Sequence, residues 1–281
     1  MKKLIYLLIP ALILFSCGKK DKSNFTVSGT IKNANGQELI LNLISPEKTT
    51  PLDTVVIDAD GKFEFKGKTS FPEFYAIQLK GSNEYIILVA DSLEEITLNA
   101  DSKDMLNSYT IEGSKNSEAL KTLYVELNKA LAQVDSLSAI YQMSMGKVNE
   151  DSLKVSLDKS FAALINSHRT YTKKFIDQNI KSPVSIIALY QSIAPNVPVL
   201  NLDEDISYFE KVDKSLFAIY PKSPFVINLH TLLAQMKEQD AAPESGIGMF
   251  QEAPEIDLPS PQGKNIKLSS LKGKYVLLDF W

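Results

Sequence analysis

The chain has 281 residues, 30 basic against 34 acidic, with 44% hydrophobic content and a single cysteine. These proportions exclude wholesale disorder, collagen and a multi-span membrane protein. A net charge of −4 gives no basic excess for nucleic-acid phosphates, and one cysteine excludes an internal disulfide, a C-x-x-C pair and a cysteine-rich zinc site. At roughly 150 residues per domain, the length suggests about two domains and part of a third.

Lys2 and Lys3 precede an unbroken apolar run, Leu4 to Phe15. As a helix this run would span roughly 18 Å, well short of a bilayer core of about 30 Å, so it reads as a signal peptide over residues 1–16. Leu14-Phe15-Ser16-Cys17 resembles the bacterial lipoprotein box. That resemblance implies cleavage before Cys17 and acylation of its sulfur and new amine. Two or more acyl chains anchor a protein stably where one holds it only marginally. Residues 17–24 are then the lipidated cysteine and a polar tether. The expected location is the cell envelope, lipid-anchored; Lys19, Lys20 and Lys22 favour a periplasm-facing protein.

Seven of the twelve glycines lie between Gly18 and Gly113, and only Gly146 falls between Gly113 and Gly246. Glycine marks turns, so this spacing predicts a strand-rich stretch, then helices, then a second loop-and-strand stretch. Residues 25–112 carry seven short apolar runs: FTVSGTI, ELILNLI, DTVVID, KFEFKG, FYAIQLK, EYIILVA and EEITLNA. Asn35-Gly36 reads as a turn, and DTVVID, Asp60-Gly61 and KFEFKG together read as a hairpin. An antiparallel sandwich or barrel-like module suits seven strands in this length. Acidic pairs such as Glu94-Glu95 read as solvated strand edges.

Residues 113–240 change period. Leu120, Leu123, Leu127, Leu131, Val134, Leu137 and Tyr141 recur at steps of three and four, and Asn116 or Ser117 is the expected N-cap. A second run places Leu153, Leu157, Phe161, Leu164, His168, Tyr171 and Phe175 on one face. Pro183 opens a short helix in SPVSIIALYQSI, and ISYFEKVDKSLFAIY and PFVINLHTLLAQMKE form a further pair. His168 and His230 have no partners at metal or triad spacing and read as helix-face residues. Asp203-Glu204-Asp205 reads as the start of a helix, favoured by its dipole, rather than a calcium loop. No cofactor or metal is expected.

From Ala253 the chain reads APEIDLPSPQGKNIKLSSLKGKYVLLDFW. It predicts a strand at Ile256 and Leu258, a turn at Gly263, a strand at Ile266 and Leu268, a short turn or helix start in LSSLKGK, and an apolar strand from Tyr275 to Trp281. Burying Val276, Leu277, Leu278, Phe280 and Trp281 at about 1.5–3 kcal/mol each needs a sheet around them, so the domain over 241–281 is expected to be incomplete.

The pattern A-P-x-x-x-L-P, G-K and L-S-x-L-K-G-K-x-V-L-L-D-F-W resembles the extracytoplasmic thioredoxin-like thiol-disulfide oxidoreductases, a group overlapping the alkyl hydroperoxide reductase superfamily. In that family the D-F-W strand leads into W-C-x-x-C. The upstream series DGKFEFKG and PEFYAIQL resembles the β-rich N-terminal domain of unknown function of such lipoproteins. SPVSIIALY resembles the helical region before their thioredoxin-like domain. The resemblance implies an α+β, multi-domain protein: an N-terminal antiparallel β-sandwich, a central helical region and the start of a thioredoxin-like α/β domain. It also implies exchange with extracytoplasmic protein disulfides or thiols. Asp279 matches the family's proton-transfer carboxylate and Trp281 the flank of its active-site loop. The chain itself has no C-x-x-C and is expected to be inactive alone. The other reading is a non-catalytic envelope lipoprotein whose sandwich and helices bind a partner.

Overall fold

The computed structural model describes residues 24–146, 150–241, 255–260, 263–274 and 276–277. It divides into two compact units, one running to Leu233 and the other from Ala234 onward. The architecture is α+β, with β-sheets first and helices after them.

Eight strands form two four-stranded sheets. They are β1 (Phe25–Lys32), β2 (Glu38–Ile44), β3 (Thr49–Val56), β4 (Lys62–Gly67), β5 (Glu73–Leu79), β6 (Tyr85–Ala90), β7 (Glu95–Asp101) and β8 (Thr110–Glu112). One sheet has the order β4-β1-β7-β8 and the other β3-β2-β5-β6. All pairs are antiparallel except β1 with β7, which is parallel. Alternation explains the core. Val27, Ile31, Phe65, Ile96 and Leu98 from the first sheet meet Leu39, Leu41, Ile77 and Leu88 from the second, each at most 1% exposed. Each contributes roughly 1.5–3 kcal/mol by leaving water.

The expected hairpin across Asp60-Gly61 is a correction. β3 pairs with β2, whereas β4 pairs with β1 in the opposite sheet. The turn, with Gly61 at φ +80°, therefore carries the chain between sheets. Local alternation sets which face is apolar but not which strand lies beside it. Close backbone approach decides Gly29: a Cβ there would overlap the Leu98 carbonyl of β7.

β5 is buried on both faces, because Phe74 points away from the sandwich core and meets Phe225 of the helical region at 4.9 Å. The helices are α1 (Met105–Ser108), α2 (Lys115–Ser144), α3 (Glu150–Gln178), α4 (Val184–Leu189), α5 (Ile206–Ile219) and α6 (Pro224–Ala241). A small hairpin, β9 (Ser192–Ala194) with β10 (Val197–Pro198), follows α4. The apolar stripe of α2 is buried at Leu120 and Leu123 and half-buried from Leu127 to Tyr141.

The N-cap of α2 is Ser114, not Asn116 or Ser117; its Oγ accepts the Ser117 N–H. Ser117 is instead spent on the sheet. Asp205 precedes α5, as expected for a helix start. Glu95 is exposed, but Glu94 is half-buried and accepts the Asp91 N–H at 2.9 Å, so only one of that pair is a solvated edge.

In the second unit, β11 (Asp257–Pro259) pairs antiparallel with β12 (Asn265–Lys267), and a 3₁₀ turn covers Leu268–Leu271. Both expected strands and the turn in LSSLKGK are present. Val276 and Leu277, the described part of the expected final strand, form no ladder and are 42% and 94% exposed. No helix of the described residues is long and apolar enough to cross a membrane.

Candidate functional site

Cys17, Asp279 and Trp281, the residues singled out from sequence, lie outside the described residues. In the second unit, Glu255 Oε1 accepts the Ser269 N–H at 3.0 Å and ties the segment entering β11 to the 3₁₀ turn. That bond holds the Glu255 carboxyl below its ordinary range. Among the described residues no group of three His, Cys, Asp or Glu could hold a metal.

The built site lies at the open edge of the sandwich. β6 is the outer strand of its sheet, bonded to β5 on one side only. At Val89 the free side is closed by the start of α2. Ser117 Oγ donates to the Val89 carbonyl at 2.7 Å and accepts the Val89 N–H at 2.9 Å. Ser114 Oγ donates to the same carbonyl at 2.9 Å. Two hydroxyls thus replace a neighbouring strand at one residue.

Further along the strand a cavity of about 390 Å³ opens, within the size range of ligand sites. Its walls are Asn83 and Glu84 just before β6, Tyr85, Ile86 and Ile87 of β6, Leu106 of α1, Tyr109, and Lys121, Tyr124, Val125 and Asn128 of α2. The α2 residues follow helical spacing, so one face of the helix supplies them. Lys121 Nζ donates to the Tyr109 carbonyl at 2.7 Å and sits 4.8 Å from the Tyr109 ring centre. No carboxylate among the described residues pairs with it.

Burial pushes the Tyr109 phenol up to about 12, with Tyr124 adding to the effect. Tyr124 is raised by burial and then by Tyr85. Both are neutral hydroxyls at physiological pH, able to donate or accept. The site therefore combines aromatic walls, one ammonium (Lys121), one carboxylate (Glu84) and a strand edge, and holds no nucleophile–base pair.

The helical region uses its polar residues structurally. His168, 6% exposed, donates through Nε2 to Gln191 Oε1 at 3.3 Å, and Thr172 donates to the same oxygen at 3.3 Å. Burial lowers the His168 pKa. His230 donates through Nδ1 to the Asp213 carboxylate at 3.0 Å and stacks on Phe217 with centroids 3.9 Å apart. Both histidines lie on helices, His168 on α3 and His230 on α6, and each is taken up by these neighbours.

Asp205, 1% exposed, is held by Arg169 and Lys173, each at 2.7 Å, and accepts the Asn201 N–H at 2.9 Å. Burial pushes its carboxyl upward, but Lys173 and Arg169 outweigh burial and keep it below the usual carboxylate range. A second groove of about 430 Å³ between α2 and α3 is walled by apolar side chains. Its one charged pair, Lys154 and Asp158, is satisfied internally at 2.8 Å.

The sequence reading missed the edge site. Its trace was available as Lys121, Tyr124, Val125 and Asn128, a second helical stripe beside Leu120 and Leu123.

Residues 25–120 match a family described as a domain of unknown function (DUF4369), about a third of the chain. The match spans the whole sandwich and continues through Leu120, so it takes in the two serines that close the β6 edge. No curated protein matches the chain.

Proposed function

We propose that the chain carries the lipid anchor, β-sandwich and helical region of a thiol-disulfide oxidoreductase of the cell envelope. One observation carries this reading: the sequence from Ala253 to Trp281, in which A-P, L-P, G-K, L-S-x-L-K-G-K and D-F-W follow one another as in the extracytoplasmic thioredoxin-like family. Supporting it, the β11–β12 hairpin and the 3₁₀ turn fall on the strands and the turn that this stretch predicts.

Thiol-disulfide exchange needs a thiolate, supplied where a helix N-terminus and nearby charge lower a cysteine pKa, and a second cysteine to resolve the mixed disulfide. The chain has only Cys17, whose sulfur is assigned to lipid. The proposal therefore assigns the exchanging thiols to no residue of this chain. Asp279 lies among apolar neighbours in sequence, where desolvation raises a carboxyl pKa. It is proposed to move the proton of the buried thiol. Trp281 flanks the same loop. Lipid on Cys17 holds the protein at the membrane, facing extracytoplasmic substrates.

The test is insulin-disulfide reduction by the gene product. Turnover that falls at least tenfold with Asp279→Asn is the expected result. Equal rates for both across pH 6–9 remove the proton-transfer role, and absence of turnover removes the enzyme reading. The second reading, a non-catalytic envelope lipoprotein that binds a partner, is favoured by the cavity at the β6 edge.

A further inference from the structure

We infer that the β6 edge and its adjoining cavity bind an extended peptide of another protein, which adds as an outer strand to the β3-β2-β5-β6 sheet. The occupant is specified by backbone chemistry. In an antiparallel ladder, alternate residues direct both N–H and C=O toward the same neighbour. Val89 directs both groups away from β5, onto Ser117 and Ser114. Ile87 and Tyr85, two and four residues earlier, share that parity. Their N–H and C=O groups therefore face the open side, and no hydrogen-bond partner among the described residues meets them there.

A row of edge donors and acceptors spaced two residues apart pairs with an extended backbone and with little else. The cavity walls add side-chain chemistry. Tyr85, 48% exposed, Leu106, 45% exposed, and Val125, 42% exposed, offer apolar surface around the Tyr109 and Tyr124 rings. An aromatic or branched apolar side chain fits there. Lys121 makes no ion pair among the described residues, although Glu84 lines the same cavity, so the peptide's carboxylate, from an acidic side chain or its C-terminus, is assigned to Lys121.

The chain also prevents this edge from pairing at random. The hydroxyls of Ser114 and Ser117 occupy Val89, and α2 runs beside the strand, so only a short stretch remains open. That arrangement limits runaway strand addition while leaving room for one narrow guest. The inference stands apart from the redox reading, since binding is measured without any thiol.

The experiment uses the intact chain and a display library of random heptapeptides with free C-termini. Enriched peptides are expected to alternate apolar residues and to carry a carboxylate near one end. The strongest is then synthesised with single N-methyl groups along its backbone. Methylation at alternate residues should weaken binding roughly tenfold and at the intervening ones under threefold, the two-residue period of a ladder. Ile87→Pro, which removes an outward N–H and no ladder bond to β5, and Lys121→Glu should each weaken binding at least tenfold with unchanged circular dichroism, while Ile87→Ala, which keeps the N–H, should weaken it less. No enriched peptide family, a methyl scan without the two-residue period, or equal affinity for both variants overturns the inference. A chain dimer that dissociates with Ile87→Pro makes a second copy the occupant and also overturns it.

Discussion

Removing the hydroxyls that close the β6 edge should expose how tightly the helix start is bound to the sheet. Ser117→Ala deletes two hydrogen bonds to Val89, a residue with 0% exposure, and strands its N–H. A buried unsatisfied donor costs about 1–3 kcal/mol. The expected loss is therefore about 2–3 kcal/mol. Ser114→Ala removes the N-cap of α2, worth about 1 kcal/mol, while the Val89 carbonyl keeps Ser117.

In the double variant that carbonyl loses both partners. Its penalty appears only then, so the loss should exceed the sum of the single losses by about 1 kcal/mol. Urea unfolding followed by far-UV circular dichroism measures all three, with Ser117→Ala lowering the midpoint at an unchanged slope. By heat, the same variant should melt about 5–10 °C lower. Single losses within about 0.5 kcal/mol, or a double equal to the sum, would refute the reasoning.

Other outcomes follow from the same geometry. Gly29→Ala should cost about 3 kcal/mol or more, read as loss of soluble protein or a collapsed melting transition, because a Cβ has no space against the Leu98 carbonyl. Asp205→Ala should cost about 2–3 kcal/mol, at the low end for a buried ion pair because Arg169 and Lys173 are partly exposed and can rehydrate. The depressed folded pKa of Asp205 makes its stabilisation present above the unfolded carboxyl range and lost as pH falls through the folded value; melting of Asp205→Asn against pH should lack that acid-side loss. His168 works in a higher window. With its folded pKa lowered by burial, the unfolded chain takes the proton first, so stability should decline as pH drops below about 6.5, and His168→Gln should flatten that decline.

The seven longer strands were legible from short apolar runs between turn residues, some alternating with polar residues, as in KFEFKG and EEITLNA, and others apolar nearly throughout, as in EYIILVA. Their partners were not. Nothing local distinguishes β3 pairing with β4 from β3 pairing with β2, and the parallel β1–β7 pair brings together residues some 70 apart. β8, of three residues, is too short to show a period. Helix α2 was legible from its leucines, but its cap was displaced to Ser114 because Ser117 is drawn to an unpaired strand edge that exists only after the sheet has formed. The edge cavity was hidden for the same reason: Tyr85, Tyr109, Lys121 and Tyr124 come from separate segments that only the packing of α2 beside β6 assembles. The redox reading, in contrast, rests on sequence order in the final 29 residues.

A redox titration of the gene product tests the oxidoreductase proposal most directly. The account predicts one two-electron dithiol couple with a midpoint in the range of thioredoxin-like proteins, about −270 to −120 mV, and no free thiol at Cys17. A protein with no titrating thiol pair, or with Cys17 as its reactive sulfur, would contradict it.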